Sequence, residues 1–221
     1  MGSTLGGVGV LDKAVLVLDV LEVEPRSLAE LVDATGLPRA TAHRLATALE
    51  EHGLVRRDDE GRFTLGTRLV ALGRAATEAF PLAGAAHNAL RELRDATEES
   101  VQLFVPEADS RVCIAALQSP HGLRTIVPLG ASLPLLGLGS GARVLNGQLG
   151  AQGWTESVGE REAGVASVSA PILDRGSIIA AVSVSGPIER TTKHPGRRYG
   201  EAVVAAARRI ERDAGLRPDL S

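Results

Sequence analysis

Apolar residues in the first third of the chain recur at helical spacing and are punctuated by capping and turn residues. In "VLDKAVLVLDVLE", Leu11, Ala14, Val15, Leu18 and Leu21 fall on one stripe of a helical wheel, and Pro25 closes the pattern. "RSLAELVDATG" opens with the capping-box pair Ser27 and Glu30 and stops at Gly36, placed for a left-handed cap. "LPRATAHRLATALEEHG" sets Pro38 in a first helical turn and Gly53 at the end. Within it Ala42, Leu45, Ala46 and Leu49 lie within about 100° of one another, the width of a core-facing stripe. "LVRRDDEGRFTLG" reads as two short strands around an Asp-Asp-Glu-Gly turn. Helix, helix, tight turn, helix and hairpin is the order of a winged helix-turn-helix.

The polar face of the third helix carries Ala40, Arg44 and Thr47, with Thr41 and His43 at its edges and Arg39 at its start. It offers guanidinium, imidazole, hydroxyl and methyl groups, which read base edges and phosphates in a major groove. A merely solvated helix face would look the same in isolation. Arg56, Arg57 and Arg62 on or beside the hairpin favour the DNA reading, because a wing rests on phosphates.

After the hairpin the pattern predicts a long helical connector, "TRLVALGRAATEAFPLAGAAHNALRELRDATEES", interrupted near Pro81. Leu82, Ala86, Ala89, Leu90 and Leu93 share one side of its second half. The period then changes from helical to alternating. "SVQLFVPEADSRVCIAALQSPHGLRTIVPLG" reads as strand, Ala-Asp-Ser turn, strand, loop and strand. "ASLPLLGLGSGARVLNG" is a glycine-rich loop entering a short helix. "GVASVSAPILDRGSIIAAVSVSGP" is a hairpin across Asp174-Arg175-Gly176, and "RRYGEAVVAAARRIERD" is a closing amphipathic helix. The expectation is an α+β protein. It comprises a winged helix-turn-helix domain over 1–75, a linker helix region over 76–99, and an antiparallel sheet flanked by helices over 100–221.

Ser183 and Ser185 alternate with Val182 and Val184, so both hydroxyls point to one side of the strand and both valines to the other. Ser167 and Ser169 repeat the pattern. Either a solvated sheet face or a polar pocket inside an apolar domain would produce it.

Composition narrows the function classes. The net charge of −3 gives no bulk attraction to nucleic acid, and acids slightly outnumber bases in the first 75 residues. The DNA reading therefore rests on placement. Cys113 is the single cysteine, which excludes an internal disulfide and a cysteine zinc cluster and suits a reducing cytoplasm. No apolar run approaches the roughly 20 residues of a membrane span. His43, His52, His87, His121 and His194 show no metal-ligand spacing, so no metal or cofactor is expected. "GLGSG" around Ser140 lacks the glycines of a hydrolase nucleophile elbow. "GLGSGA" fits a dinucleotide fingerprint, but Pro134 precedes it and no βαβ unit surrounds it. A small NAD-binding enzyme, or a sensor or interaction module without sequence-specific DNA binding, remain the alternatives to a regulator.

The whole chain resembles the IclR family of bacterial transcription regulators. The N-terminal resemblance lies in "SLAELVDATGLPRATAHRLATALEEHGLVRRDDEGRFTLGTRL". The C-terminal one lies in "LPLLGLGSGARVL", "GWTESVGEREAGVASVSAPI" and "AAVSVSGPIER", in the family's order. "GEREAGVASVSAPI" and "SVSGPIERTTKHPGR" are most similar to an actinobacterial, NdgR-like branch that regulates amino-acid biosynthesis, leucine included. The resemblance implies a DNA-binding domain, a linker helix and a GAF-like domain that binds a small carboxylate effector. The third helix and the wing put Arg39, Thr41, His43, Arg44, Thr47, Arg57 and Arg62 on double-stranded operator DNA. The resemblance assigns Gly139, Ser140, Ser157, Ser183 and Ser185 to the effector, and strand alternation adds Ser167. Ser157 stands where some relatives carry an acid, and Ser167 where many carry cysteine. Gly139 and Ser140 are expected to offer free backbone donors, with Leu135, Leu136 and Leu138 as an apolar wall. Between Val144 and Trp154 the family carries further helical structure and this chain has only "LNGQLGAQG"; both flanks match, so an omitted stretch is expected there. A homodimer, able to double to a tetramer, is expected to pair through Leu11, Val15, Leu18 and the Leu69–Ala79 connector.

Overall fold

The computed structural model describes residues 9–78 and 81–217, which form two compact units dividing between Ala76 and Thr77. Each unit has its own core.

The first unit runs α1 (Gly9–Val23), α2 (Leu28–Thr35), α3 (Arg39–Glu51), β1 (Val55–Arg57), β2 (Phe63–Leu65) and α4 (Arg68–Glu78). Ser27 caps α2 in a full capping box: its backbone N–H donates to the Glu30 carboxylate at 2.8 Å, and its hydroxyl accepts from the Glu30 backbone N–H. Gly36 ends α2 in the left-handed conformation at φ 66°, which turns the chain sharply into α3. Val17, Leu21, Leu31, Ala46, Leu49, Val55 and Phe63 make the core. The β1–β2 hairpin pairs Val55 with Leu65 and Arg57 with Phe63. The stripe expected on α1 is rotated. Val17 and Leu21 are buried with Ala14 and Leu18 beside them, whereas Leu11 is 61% and Val15 47% exposed. The α2–α3 pair meets only one edge of the broad apolar stripe and leaves the other edge to solvent.

The second unit runs α5 (Pro81–Thr97), β3 (Ser100–Glu107), β4 (Ser110–Leu117), β5 (Ser132–Pro134), α6 (Ser140–Leu145), β6 (Thr155–Val158), β7 (Val165–Asp174), β8 (Ser177–Pro187), α7 (Ile188–Thr191) and α8 (Pro195–Asp213). The six strands form one antiparallel sheet in the order β5-β4-β3-β8-β7-β6. The hairpin β7–β8 turns at Arg175 (φ 48°) and Gly176 (φ 77°), the paired positive φ values that match strand twist. One sheet face, with Val101, Leu103, Val168, Val182 and Val184, packs on Ala86, Leu90 and Leu93 of α5 and Val203 and Ile210 of α8. The helix after Pro81, expected as the second half of a linker region over 76–99, thus packs as a layer of the second core. Ala79, the expected end of the connector, lies outside the described residues.

One expected element differs. The strand expected within "RTIVPLG" is irregular chain. The third strand is instead the short β5, paired with Ser110–Val112 of β4. Residues 146–154 form turns and no helix, with Gly153 N–H donating to Gly150 at 3.0 Å and Gly150 N–H to Trp154 at 3.1 Å.

Candidate functional site

Two surfaces collect the sequence-expected residues. The first is α3 and the hairpin after it. Ala42, Ala46 and Leu49 fix one face of α3 in the core, so the opposite face must point outward. Arg39, His43 and Arg44 are exposed on it, and Thr41 and Thr47 are half-buried at its flanks. Among the described residues no acid pairs with Arg39 or Arg44. The wing is more committed. Arg62 pairs with Asp58 at 2.9 Å and with Glu60. Its partnership with Asp58 raises its already high pKa. Arg57 sits 4.1 Å from the Phe63 ring centroid and 3.5 Å from Glu50. Arg56 is exposed on the same hairpin with no acid partner among the described residues. The charges free to meet phosphate are therefore Arg39, Arg44 and Arg56 more than Arg57 and Arg62.

The second surface is the polar face of the large sheet. Antiparallel register places Ser157 opposite Ser167 and Ser167 opposite Ser185. It also places Ser169 opposite Ser183 and Ser183 opposite Gln102. Directly opposed residues share a face, so these side chains form two adjacent polar rows. The solvated-face reading of the serine alternation is excluded: Ser157, Ser169, Ser183 and Ser185 are buried. Ser140, the first residue of α6, closes over the rows with its Oγ 2.7 Å from both Ser167 Oγ and Ser169 Oγ. Ser169 Oγ lies 2.6 Å from Ser183 Oγ, and Ser185 donates to Gln102 Oε1 at 3.1 Å. Gly141 lets α6 approach this closely: a Cβ there would stand 3.3 Å from Ser183 Oγ.

Ser140, Gly141, Ser167, Ser183, Ser185 and Gln102 border a cavity of about 30 Å³, lined also by Phe104, Val127, Leu133, Arg111 and Arg161. Its apolar wall is Phe104, Val127 and Leu133. Leu136 and Leu138 were expected there but are 81% and 58% exposed, because the loop after β5 turns them outward. Gly139 N–H, expected to be free, donates to Glu160 Oε2 at 3.3 Å, and Arg143 holds that carboxylate at 2.6 Å. Sequence reasoning missed Arg111, Arg161, Gln102 and Glu160. The parity rule could have found Gln102, which falls on the serine face of β3.

A helix-turn-helix with a basic wing, followed by a helix-flanked antiparallel sheet, is the architecture of a DNA-binding transcription regulator. The IclR helix-turn-helix domain family matches residues 10–59, and the bacterial transcriptional regulator IclR C-terminal family matches residues 147–212. The chain belongs to the IclR family of DNA-binding transcriptional regulators, which are not enzymes. It is 26% identical to the transcriptional repressor IclR of Escherichia coli, over 83% of this chain and 81% of that protein. It is 27% identical to the glycerol operon regulatory protein of Streptomyces coelicolor, over 93% and 96%. The fold is that of the Thermotoga maritima IclR crystal structure (TM-score 0.74, 21% identity, 94% of this chain and 99% of that one). It is also that of an IclR homolog from Microbacterium hydrocarbonoxydans complexed with 4-hydroxybenzoate (TM-score 0.77, 22% identity, 93% and 99%). Among the described residues no helix is long and apolar enough to cross a membrane, and no cluster of His, Cys, Asp or Glu could hold a metal ion.

Proposed function

We propose that the chain binds operator DNA in the cytoplasm as a symmetric homodimer, with a tetramer as its doubled form. In this reading α3 enters the major groove through Arg39, Thr41, His43, Arg44 and Thr47, and the wing meets phosphate. A small carboxylate effector sits among Gly139, Ser140, Ser157, Ser167, Ser183 and Ser185 and modulates DNA affinity. The observation that carries the effector reading is the buried serine row closed by Ser140. Hydroxyls of this density inside an otherwise apolar domain suit an anion with several acceptor oxygens. That the Microbacterium relative was crystallised with a carboxylic acid agrees with it. Exposed Leu11, Val15, Val70 and Leu72 on α1 and α4 supply apolar surface for pairing. The finer assignment, to a branch controlling leucine-type amino-acid metabolism, rests only on the resemblance of "GEREAGVASVSAPI" and "SVSGPIERTTKHPGR" to NdgR-like regulators.

Fluorescence anisotropy with duplexes from around the chain's own gene tests the DNA half, and light scattering the assembly. Salt-dependent, saturable binding by a species of two or four chains is expected. Binding without salt dependence, or a monomer at micromolar concentration, contradicts it.

A further inference from the structure

The cavity beside the serine rows contains a charge that no carboxylate among the described residues neutralises. Arg111, near the start of β4, is only 3% exposed. Its terminal nitrogens donate to the backbone carbonyls of Pro134 and Leu138, the latter at 3.3 Å. Its Nε is buried with no hydrogen-bond partner. The guanidinium lies 5.6 Å from the Phe104 ring centroid. Among the described residues no carboxylate pairs with it. Burial pulls its pKa down to about 10, and the nearby charge of Arg161 acts in the same direction. A buried cation is ordinarily paired, because its desolvation is otherwise uncompensated. Here two loop carbonyls supply partial compensation only.

The geometry also says where a counter-charge would lie. Arg111 and Arg161 flank Gly139, whose missing side chain would stand 3.7 Å from Arg111 Nη2 and 3.9 Å from Arg161 Cβ. Ser140, Ser183 and Ser185 line the same cavity. Cation and hydroxyls therefore border one space.

We propose that Arg111 is the charged anchor of this cavity: a small organic carboxylate pairs with its guanidinium while the Ser183 hydroxyl, and that of Ser185 once it leaves Gln102 Oε1, take its remaining polar atoms. The proposal rests on the reading of the cavity as the effector site and adds the residue that selects for charge. It also supplies a coupling. The free space is small, about 30 Å³, and Gly139, at the end of the 134–139 loop, lines it. Arg111 holds that loop through the Pro134 and Leu138 carbonyls. An anion competing for the guanidinium would loosen the two bonds that tie Arg111 to that loop.

The test is calorimetric titration of the full chain with 4-hydroxybenzoate and 2-oxoisovalerate, and with uncharged 4-hydroxybenzamide. It is run on the parent, Arg111→Lys, Arg111→Gln and Ser185→Ala, with thermal melts alongside to verify folding. At least one acid should bind the parent, and the amide should bind about tenfold more weakly or worse. Arg111→Gln should lose at least about tenfold in acid affinity, and Arg111→Lys, which keeps the charge, should retain more than Arg111→Gln. If Ser185→Ala weakens acid binding while folded Arg111→Gln binds like the parent, the anchor is overturned and the effector site stands. If neither variant weakens acid binding, both readings fall. Absence of binding by either acid at millimolar concentration overturns both as well.

Discussion

Ser169 and Ser183 face each other across β7 and β8 with their Oγ atoms 2.6 Å apart, and both are buried. Ser140 joins Ser169 from α6 and reaches on to Ser167, so four hydroxyls are linked through three contacts. Each contact consumes one hydroxyl proton, and each serine has one. One proton is left over, on whichever hydroxyl only accepts, and Ser140, Ser167 and Ser183 of this chain line the cavity. The row is both a structural seam between helix and sheet and a site with unspent hydrogen-bonding capacity.

Ser169 is an interior member of that chain, bonded on both sides. Ser169→Ala should cost about 1–3 kcal/mol by leaving its partners short of a bond. Val184 points to the opposite face, into the α5 and α8 packing, and Val184→Ala should cost a comparable amount through loss of buried methyls. Thermal or denaturant melts check both. Ser185→Ala removes the donor to the buried Gln102 Oε1 and should cost about 1 kcal/mol or more.

On α3, Arg44→Ala should weaken operator binding by about 1–3 kcal/mol. Arg62→Ala should do less, since Asp58 and Glu60 already hold that guanidinium. Anisotropy titrations of the two variants, on a duplex the parent binds, compare them directly. A larger loss for Arg62→Ala would move the DNA contact from the helix to the wing.

Trp154 packs its indole against the bare backbone at Gly196 and Gly200 of α8, where any Cβ would overlap the ring. Gly200→Ala should therefore cost at least about 1–3 kcal/mol, as overpacked cores do. Trp154 is the only tryptophan, so its emission reports the displacement. An unchanged melt and unchanged emission would show that the ring has room to move.

Cys113 is buried in the sheet, and burial pushes its thiol up to about 11 despite backbone hydrogen bonds at Ala115 and Leu103 that favour the thiolate. At pH 8 the folded protein should react with a thiol reagent far more slowly than the same protein in denaturant. Equal rates would contradict the buried, protonated thiol.

What sequence carried and what it did not follow from range. The Ser27–Glu30 box and the Gly36 stop involve residues a few positions apart, and the parity of Ser183 and Ser185 is intrinsic to an extended strand. Those features are legible without tertiary information. The rotation of the buried stripe on α1 depends on which edge α2 and α3 cover, and Leu11 and Val15 carry no local sign of it. Arg111 was invisible for the same reason. Its carbonyl partners are 23 and 27 positions away, and an arginine opening a strand resembles any edge charge until the loop folds over it. Glu160 likewise reaches Gly139 across 21 positions, which turned an expected free donor into an occupied one.

An acid bound at the serine row should alter DNA affinity. The direct measurement is anisotropy of an operator duplex titrated with the parent and with a Ser183→Ala/Ser185→Ala double variant, each with and without 2-oxoisovalerate or 4-hydroxybenzoate. The account predicts that an acid shifts the parent's DNA affinity by at least about fivefold, the lower range of allosteric coupling. The double variant should bind DNA as the parent does without acid and show no shift. An equal shift in both proteins, or none in the parent with acid demonstrably bound, would contradict it.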